Sequence, residues 1–220
     1  DNAEKDFAAV DINDGSLVAW VGAGNDGFVS VWYDQSGSGN DATQTTAAIQ
    51  PKIVDAGVLV TEKGKAALSF DGYNDYLNAG LTDVSVGDRF TFLSWVYTKS
   101  VETNNAHAII GGGYGSDPDG ITIFTSEYSP STTNFYTGVS STFNSGWVDG
   151  NSVNKGYPFS KNEWVNLSVD LTVNEADGGD HYLFSLDNNS NNFNGLSKEL
   201  IIFNRPLNQS EIQSIMAYGA

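Results

Sequence analysis

Apolar and polar positions alternate in short runs along most of the chain. In "RFTFLSWVYT" (89–98), Phe90 and Phe92 fall on one side, and Thr91, Leu93, Trp95 and Tyr97 on the other. Bulk on both sides predicts a central strand. Similar patterning predicts strands at 28–34, 66–72, 120–127, 134–140, 163–173, 181–187 and 199–205. Between them stand turn pairs: Asp14-Gly15, Asp26-Gly27, Asp71-Gly72, Asp119-Gly120, Asp149-Gly150, Asp177-Gly178 and Asn194-Gly195. These pairs tolerate the positive φ that tight turns need. Many short strands joined this way predict an all-β sandwich or jelly roll.

Two stretches carry helical spacing instead. "DGSLVAWVG" sets Leu17, Trp20 and Val21 on one helical face, with Ser16 placed to cap the start and Gly22 the end. "RPLNQSEIQSIMAYGA" has Asn208 as N-cap with Glu211 three residues on, a capping box. Leu207 and Ile212 would form its hydrophobic staple, Ile212, Ile215 and Met216 share one face, and Gly219 ends it. The expectation is a short C-terminal helix packed on the sandwich.

The 220 residues suit a single sandwich domain over 1–220 with a full-sized core. With 27 acidic against 10 basic residues, the net charge of −17 repels phosphate backbones and anionic membranes. Nucleic acid and membrane insertion are therefore not expected, and no apolar run approaches a membrane span. Divalent cations would be attracted. The chain has no cysteine, which leaves no disulfide and no thiolate metal site. It starts on Asp1 rather than Met, and is expected to be processed or cut from a longer chain.

Several runs in order carry a family likeness: "WYDQSGSGNDATQ", "QPKIVDAGVLV", "GKAALSFDGYNDYL", "FTFLSWVY" and "LIIFNRPLNQSEI". Together they resemble the laminin-G-like, concanavalin A-like lectin/glucanase superfamily over nearly the whole chain, in its bacterial and phage form. The first third, from "DNAEKDF" to "NDATQ", is also similar to the start of the fungal α-L-arabinofuranosidase B catalytic domain. The resemblance implies a concanavalin A-like jelly-roll β-sandwich. It leaves function open, because this fold hosts lectins, hydrolases, lyases and structural modules.

"VWYDQSGSGNDATQ" (31–44) has two readings. Asp34, Asn40 and Asp41 would surround a cation or bind a sugar hydroxyl. Otherwise Trp32 plugs the core while Asp34 and Gln35 anchor a glycine turn through backbone N–H groups. The second reading is favoured. "FDGYNDYLNAG" is the better metal candidate, since Asp71, Asn74 and Asp75 offer hard oxygen ligands for Ca²⁺ in one loop. It is not an EF-hand, because Thr82 stands where that loop needs its last acid. Some laminin-G-like domains hold calcium at loop rims, which the resemblance carries to these residues. The alternative is a turn with solvated acids. Asp117 and Asp119, and Glu175, Asp177 and Asp180, form two further acidic loops with the same two readings.

Catalysis finds little support. A glycosidase needs two facing carboxylates, the glucanase E-x-D-x-x-E strand is missing, and the arabinofuranosidase likeness fades before that family's catalytic acids. His107 and His181 lie far apart without a nucleophile partner. Sugar binding rests instead on aromatic rings among small polar residues: Tyr114, Tyr128, Tyr136 and Trp147. Trp147, beside Gly146 and Asp149-Gly150, is expected as a loop-exposed indole, with Trp20, Trp32, Trp95 and Trp164 in the core.

The expected function is a non-catalytic extracellular, cell-surface or virion-surface module. It would bind a glycan or cell-surface polysaccharide, with calcium as an accessory, for adhesion or host attachment. Two alternatives stand: a structural or decoration module contacting other domains or subunits of a virion or surface assembly, and a glycoside hydrolase of arabinofuranosidase type.

Overall fold

A computed structural model describes residues 3–79, 81, 85–99, 106–112, 123–127, 132–137, 141–154, 157–160, 162–173, 181–184 and 192–219. The chain is an all-β sandwich with antiparallel sheets and a short C-terminal helix. Among the described residues one sheet has nine strands, a second has eight, and the hairpin Thr61–Ala66 forms a two-stranded third. The long strands Arg89–Thr98, Trp164–Val173 and Asn194–Phe203 form the middle of the nine-stranded sheet. Arg89–Thr98 lies between the other two, as its two bulky faces require.

The main core lies between the sheets. Phe70, Phe92, Val169 and Leu171 of the nine-stranded sheet meet Leu77, Ile109 and Leu183 of the eight-stranded one. Phe70, Phe184 and Phe193 close one region of it. The ring centroids of Phe70 and Phe184 are 4.2 Å apart, and Phe193 meets Phe184 at 5.4 Å.

A second apolar cluster forms on the outer face of the nine-stranded sheet. Helix α3 (Gln209–Gly219) covers Leu93 and Trp147 there with Leu207, Ile212, Ile215 and Met216. Its start is built as the sequence predicts. Asn208 N–H donates to Glu211 Oε2 (2.9 Å), and Glu211 N–H donates to Asn208 Oδ1 (3.0 Å). Leu207 and Ile212 are both buried in the cluster.

The first helical region differs from expectation. A one-turn helix, α1 (Ala9–Asn13), precedes α2 (Ser16–Val21). Ser16 is already inside α2, and the carboxylate of Asp14 accepts its N–H at 2.8 Å. Gly22 ends α2 with φ +84°. Among the described residues no helix is long and apolar enough to cross a membrane.

Candidate functional site

The loop at 33–41 is a corner. Asp34 accepts the Ser36 N–H (2.8 Å), the Ser36 hydroxyl (2.8 Å) and the Asn40 N–H (3.1 Å). These bonds, those from Ser36 first, hold the Asp34 carboxyl below the usual carboxylate range. Asp41 Oδ1 accepts the Asp34 N–H at 2.8 Å, and Gln35 Nε2 donates to the Tyr33 carbonyl at 3.0 Å. The structural reading of this run therefore describes the bonds of Asp34, whereas Gln35 serves a backbone carbonyl rather than N–H groups, and Trp32 is partly buried against the main core.

The corner presents Tyr33 outward, 44% exposed. Its hydroxyl donates to Asp6 Oδ1 at 2.8 Å, and this bond raises the phenol pKa, with Asp41 and Glu4 adding negative potential. The next residue, Phe7, meets Trp20 edge-on with centroids 5.5 Å apart. Trp20 is 41% exposed, and Lys5 lies 4.9 Å over the Phe7 ring. Because Asp6 and Phe7 are consecutive, Trp20 and Tyr33 flank one short segment. The result is a ledge: two exposed aromatic rings anchored on neighbouring residues of one segment, with Asp6, Glu4 and Asp41 near the Tyr33 hydroxyl. Such rings offer apolar faces to the C–H side of a pyranose, and the carboxylates accept bonds from its hydroxyls.

This reverses two expectations about tryptophan. Trp20 is not a core residue. Trp147 is not an exposed loop indole: it sits in the strand Ser141–Val148, 6% exposed, under α3. The cause is a bulge. The ladder register shifts between Phe143 and Ser145, so the stretch continues as strand, with Phe143 against the main core and Trp147 on the outer face under the helix. Trp95 is buried, whereas Trp164 is only partly so. Tyr136 lies in the strand Thr132–Thr137, opposite Phe124. Tyr114 and Tyr128 lie outside the described residues, as do Asp117, Asp119, Glu175, Asp177 and Asp180. His107 and His181 are placed in strands at the backbone level.

The run "FDGYNDYL" forms a braced loop. Asp71 Oδ1 accepts the N–H groups of Tyr73 (2.7 Å), Asn74 (3.1 Å) and Asp75 (3.3 Å). Asp75 Oδ2 accepts the Asp71 N–H at 3.0 Å. Gly72 is required: its φ is +77°, and a Cβ there would stand 2.6 Å from Asn194 Cβ. Asp75 is 8% exposed, and burial, then the Asp71 charge, push its carboxyl up to about 6. Asp71 is exposed and Asn74 half-buried. Among the described residues no three His, Cys, Asp or Glu side chains gather as a metal-ligating group. The loop therefore brings Asp71, Asn74 and Asp75 together but commits one Asp71 oxygen to its own backbone.

No family model matches the chain, and no curated protein does. Twenty solved chains match the structure in part. One is Trypanosoma rangeli sialidase in complex with the inhibitor DANA, at 16% identity and TM-score 0.43, covering 85% of this chain and 30% of that one. Another is the same sialidase in complex with sialic acid, at 16% identity and TM-score 0.42, covering 86% and 31%. The chain thus spans under a third of the length of these structures. At that identity and overlap the likeness identifies neither an activity nor a ligand for this chain.

Proposed function

We propose that this chain is a glycan-recognition module of an extracellular, cell-surface or virion-surface protein. The observation that carries the reading is the ledge at Trp20 and Tyr33, two rings held at the surface by Phe7 and Asp6 among acidic acceptors. Single exposed aromatics are ordinary on a soluble surface. Two of them, each fixed by its own contact and bordered by hydroxyl acceptors, suit a flat sugar ring better than they suit solvent. The laminin-G-like, concanavalin A-like assignment belongs to the same proposal and rests on the sequence runs that resemble that superfamily.

Glycan-array binding of the wild-type domain and of Trp20→Ala tests it. Binding should be specific and should fall at least about tenfold in the variant, the loss of one stacked ring. Arrays that bind neither protein would overturn it.

Calcium is a second element, favoured by Asp75. A carboxyl raised to about 6 beside another carboxylate is a pair that a divalent cation would relieve. Asp71, Asn74 and Asp75 would supply its side-chain oxygens, and backbone carbonyls and water would complete the six to eight that Ca²⁺ takes. Repeating the arrays in EDTA separates metal-assisted from metal-free recognition.

A further inference from the structure

The exposed rings of the Trp20–Tyr33 ledge stand beside charge of one sign. Asp6, Asp41 and Glu4 all act on the Tyr33 hydroxyl: its bond to Asp6 first, then burial and the charges of the three acids, raise the phenol pKa. The oxygens of these acids are only partly used. Asp6 Oδ1 accepts the Tyr33 O–H and Asp41 Oδ1 accepts the Asp34 N–H, both at 2.8 Å. Among the described residues nothing donates to the second oxygen of either, or to the carboxylate of Glu4. Asp34 differs, since it accepts three bonds from its own turn. The corner thus spends one carboxylate on its own fold and leaves oxygens of three others open beside the rings.

Among the described residues no base pairs with these three. Lys5, on the same segment, stands 4.9 Å over the Phe7 ring and makes no ion pair with them. Other bases are engaged elsewhere: Lys52 with Asp26 and Asp55, Arg89 with Asp170, and Arg205 with Glu211. A compact divalent ion is a poor answer to the charge. It needs oxygens that converge on one point, and among the described residues no three His, Cys, Asp or Glu side chains gather that way. Spread negative charge beside exposed ring faces suits a larger, singly charged cation, which aromatic faces also attract.

We propose that the ledge selects a sugar carrying a protonated amino group, with the sugar ring on the exposed aromatic faces and its ammonium among Asp6, Asp41 and Glu4. The inference rests on the glycan reading above and names the sugar class. An ammonium brings three donors and no acceptor. The second oxygens of Asp6 and Asp41, the Glu4 carboxylate and the Tyr33 hydroxyl oxygen can each take one of them. A neutral sugar leaves the charge unanswered. An anionic sugar meets three carboxylates on a chain of net charge −17. A basic peptide answers the charge but lacks the flat C–H face that stacks on an indole.

The test is calorimetric titration at pH 6 and low salt with a glucosamine oligomer, its N-acetylated counterpart and tetralysine. The free-amine oligomer should bind wild type about fivefold or more tighter than the acetylated one, and added salt should erase the difference. The double variant Glu4→Gln, Asp6→Asn should bring the ratio of the two affinities to about one, while Asp6→Asn keeps an oxygen for the Tyr33 hydroxyl. Glu4→Gln alone breaks no hydrogen bond and should remove part of the preference. Trp20→Ala should weaken both oligomers. Equal binding of the two oligomers, with both still dependent on Trp20, would overturn the inference and leave the ledge standing. Binding of both that ignores Trp20→Ala would remove the ledge as well. A preference kept in the double variant, tetralysine bound as tightly as the free-amine oligomer, or neither oligomer bound at millimolar concentration would also overturn the inference.

Discussion

Asp71 and Asp75 hold each other's backbone: the Asp71 N–H donates to Asp75 Oδ2 at 3.0 Å, and the Asp75 N–H donates to Asp71 Oδ1 at 3.3 Å. The exchange closes the loop but places one carboxyl in a buried position beside a second one. Asp75 rises to about 6 from its ordinary 3.8. The folded protein therefore holds this proton more tightly than the unfolded chain does. Stability from this group is full below about pH 4 and is lost as pH rises through about 6. A shift of about two units corresponds to roughly 3 kcal/mol. Asp75→Asn keeps an acceptor for the Asp71 N–H and carries no charge. Urea unfolding should show the variant gaining on wild type between pH 4 and pH 7, by up to roughly 3 kcal/mol. A difference that does not change with pH would contradict the burial argument. If calcium sits on the pair, millimolar calcium should raise the melting temperature of wild type at pH 7 and leave Asp75→Asn unmoved.

Trp147 and Trp20 should respond in opposite ways. Trp147 fills the space between Leu93 and the helix residues Leu207 and Ile212, so Trp147→Ala should cost about 3–5 kcal/mol. Its Nε1 has no hydrogen-bond partner among the described residues, so Trp147→Phe should cost much less. Trp20→Ala removes a ring that is 41% exposed and should change stability by less than about 1 kcal/mol. Chemical denaturation of the three variants checks the ordering.

Among the described residues Arg89 and Asp170 make an ion pair with one partner fully buried. Asp170 is 1% exposed and accepts from Arg89 Nε at 2.9 Å and from a second guanidinium nitrogen. Asn144 and Ser145 approach it only at 3.5 Å. Arg89→Ala would leave a buried carboxylate poorly served. The expected loss is about 2–3 kcal/mol, moderated because the Arg89 side chain is 45% exposed and water reaches its place. Asp170→Asn should cost less, and a double-mutant cycle measures the coupling.

The start of α3 gives a smaller effect. Asn208→Ala removes the acceptor of the Glu211 N–H and should cost about 1 kcal/mol. Because Leu207 and Ile212 stay buried, the helix should remain docked, with near-ultraviolet circular dichroism unchanged.

Much of this fold is legible in the sequence where a rule is local. The strand at 89–98 shows its central place through bulk on both faces, and the capping box at Asn208 and Glu211 needs only four residues. The pairs Asp71-Gly72 and Asp149-Gly150 mark real turns, with both glycines at positive φ. What the sequence hides is tertiary. Gly146 and Asp149-Gly150 suggest a loop around Trp147, yet the strand runs on through a bulge and sets Trp147 under α3 on the outer face. The helical spacing of Leu17, Trp20 and Val21 predicts one buried stripe, but only Leu17 is buried, because Trp20 packs on Phe7 at the surface. Short strands such as Ala42–Thr43 and Leu77–Ala79 carry too few residues to show a period.

Glycan recognition at the Trp20–Tyr33 ledge is tested most directly by ¹⁵N-edited NMR of the five indole N–H signals during titration with an array-selected glycan. The predicted result is a shift confined to Trp20 that saturates, leaves buried Trp147 in place, and disappears in Trp20→Ala and Tyr33→Ala. A glycan that binds without moving Trp20, or that binds both variants as tightly as wild type, would contradict the ledge as the site.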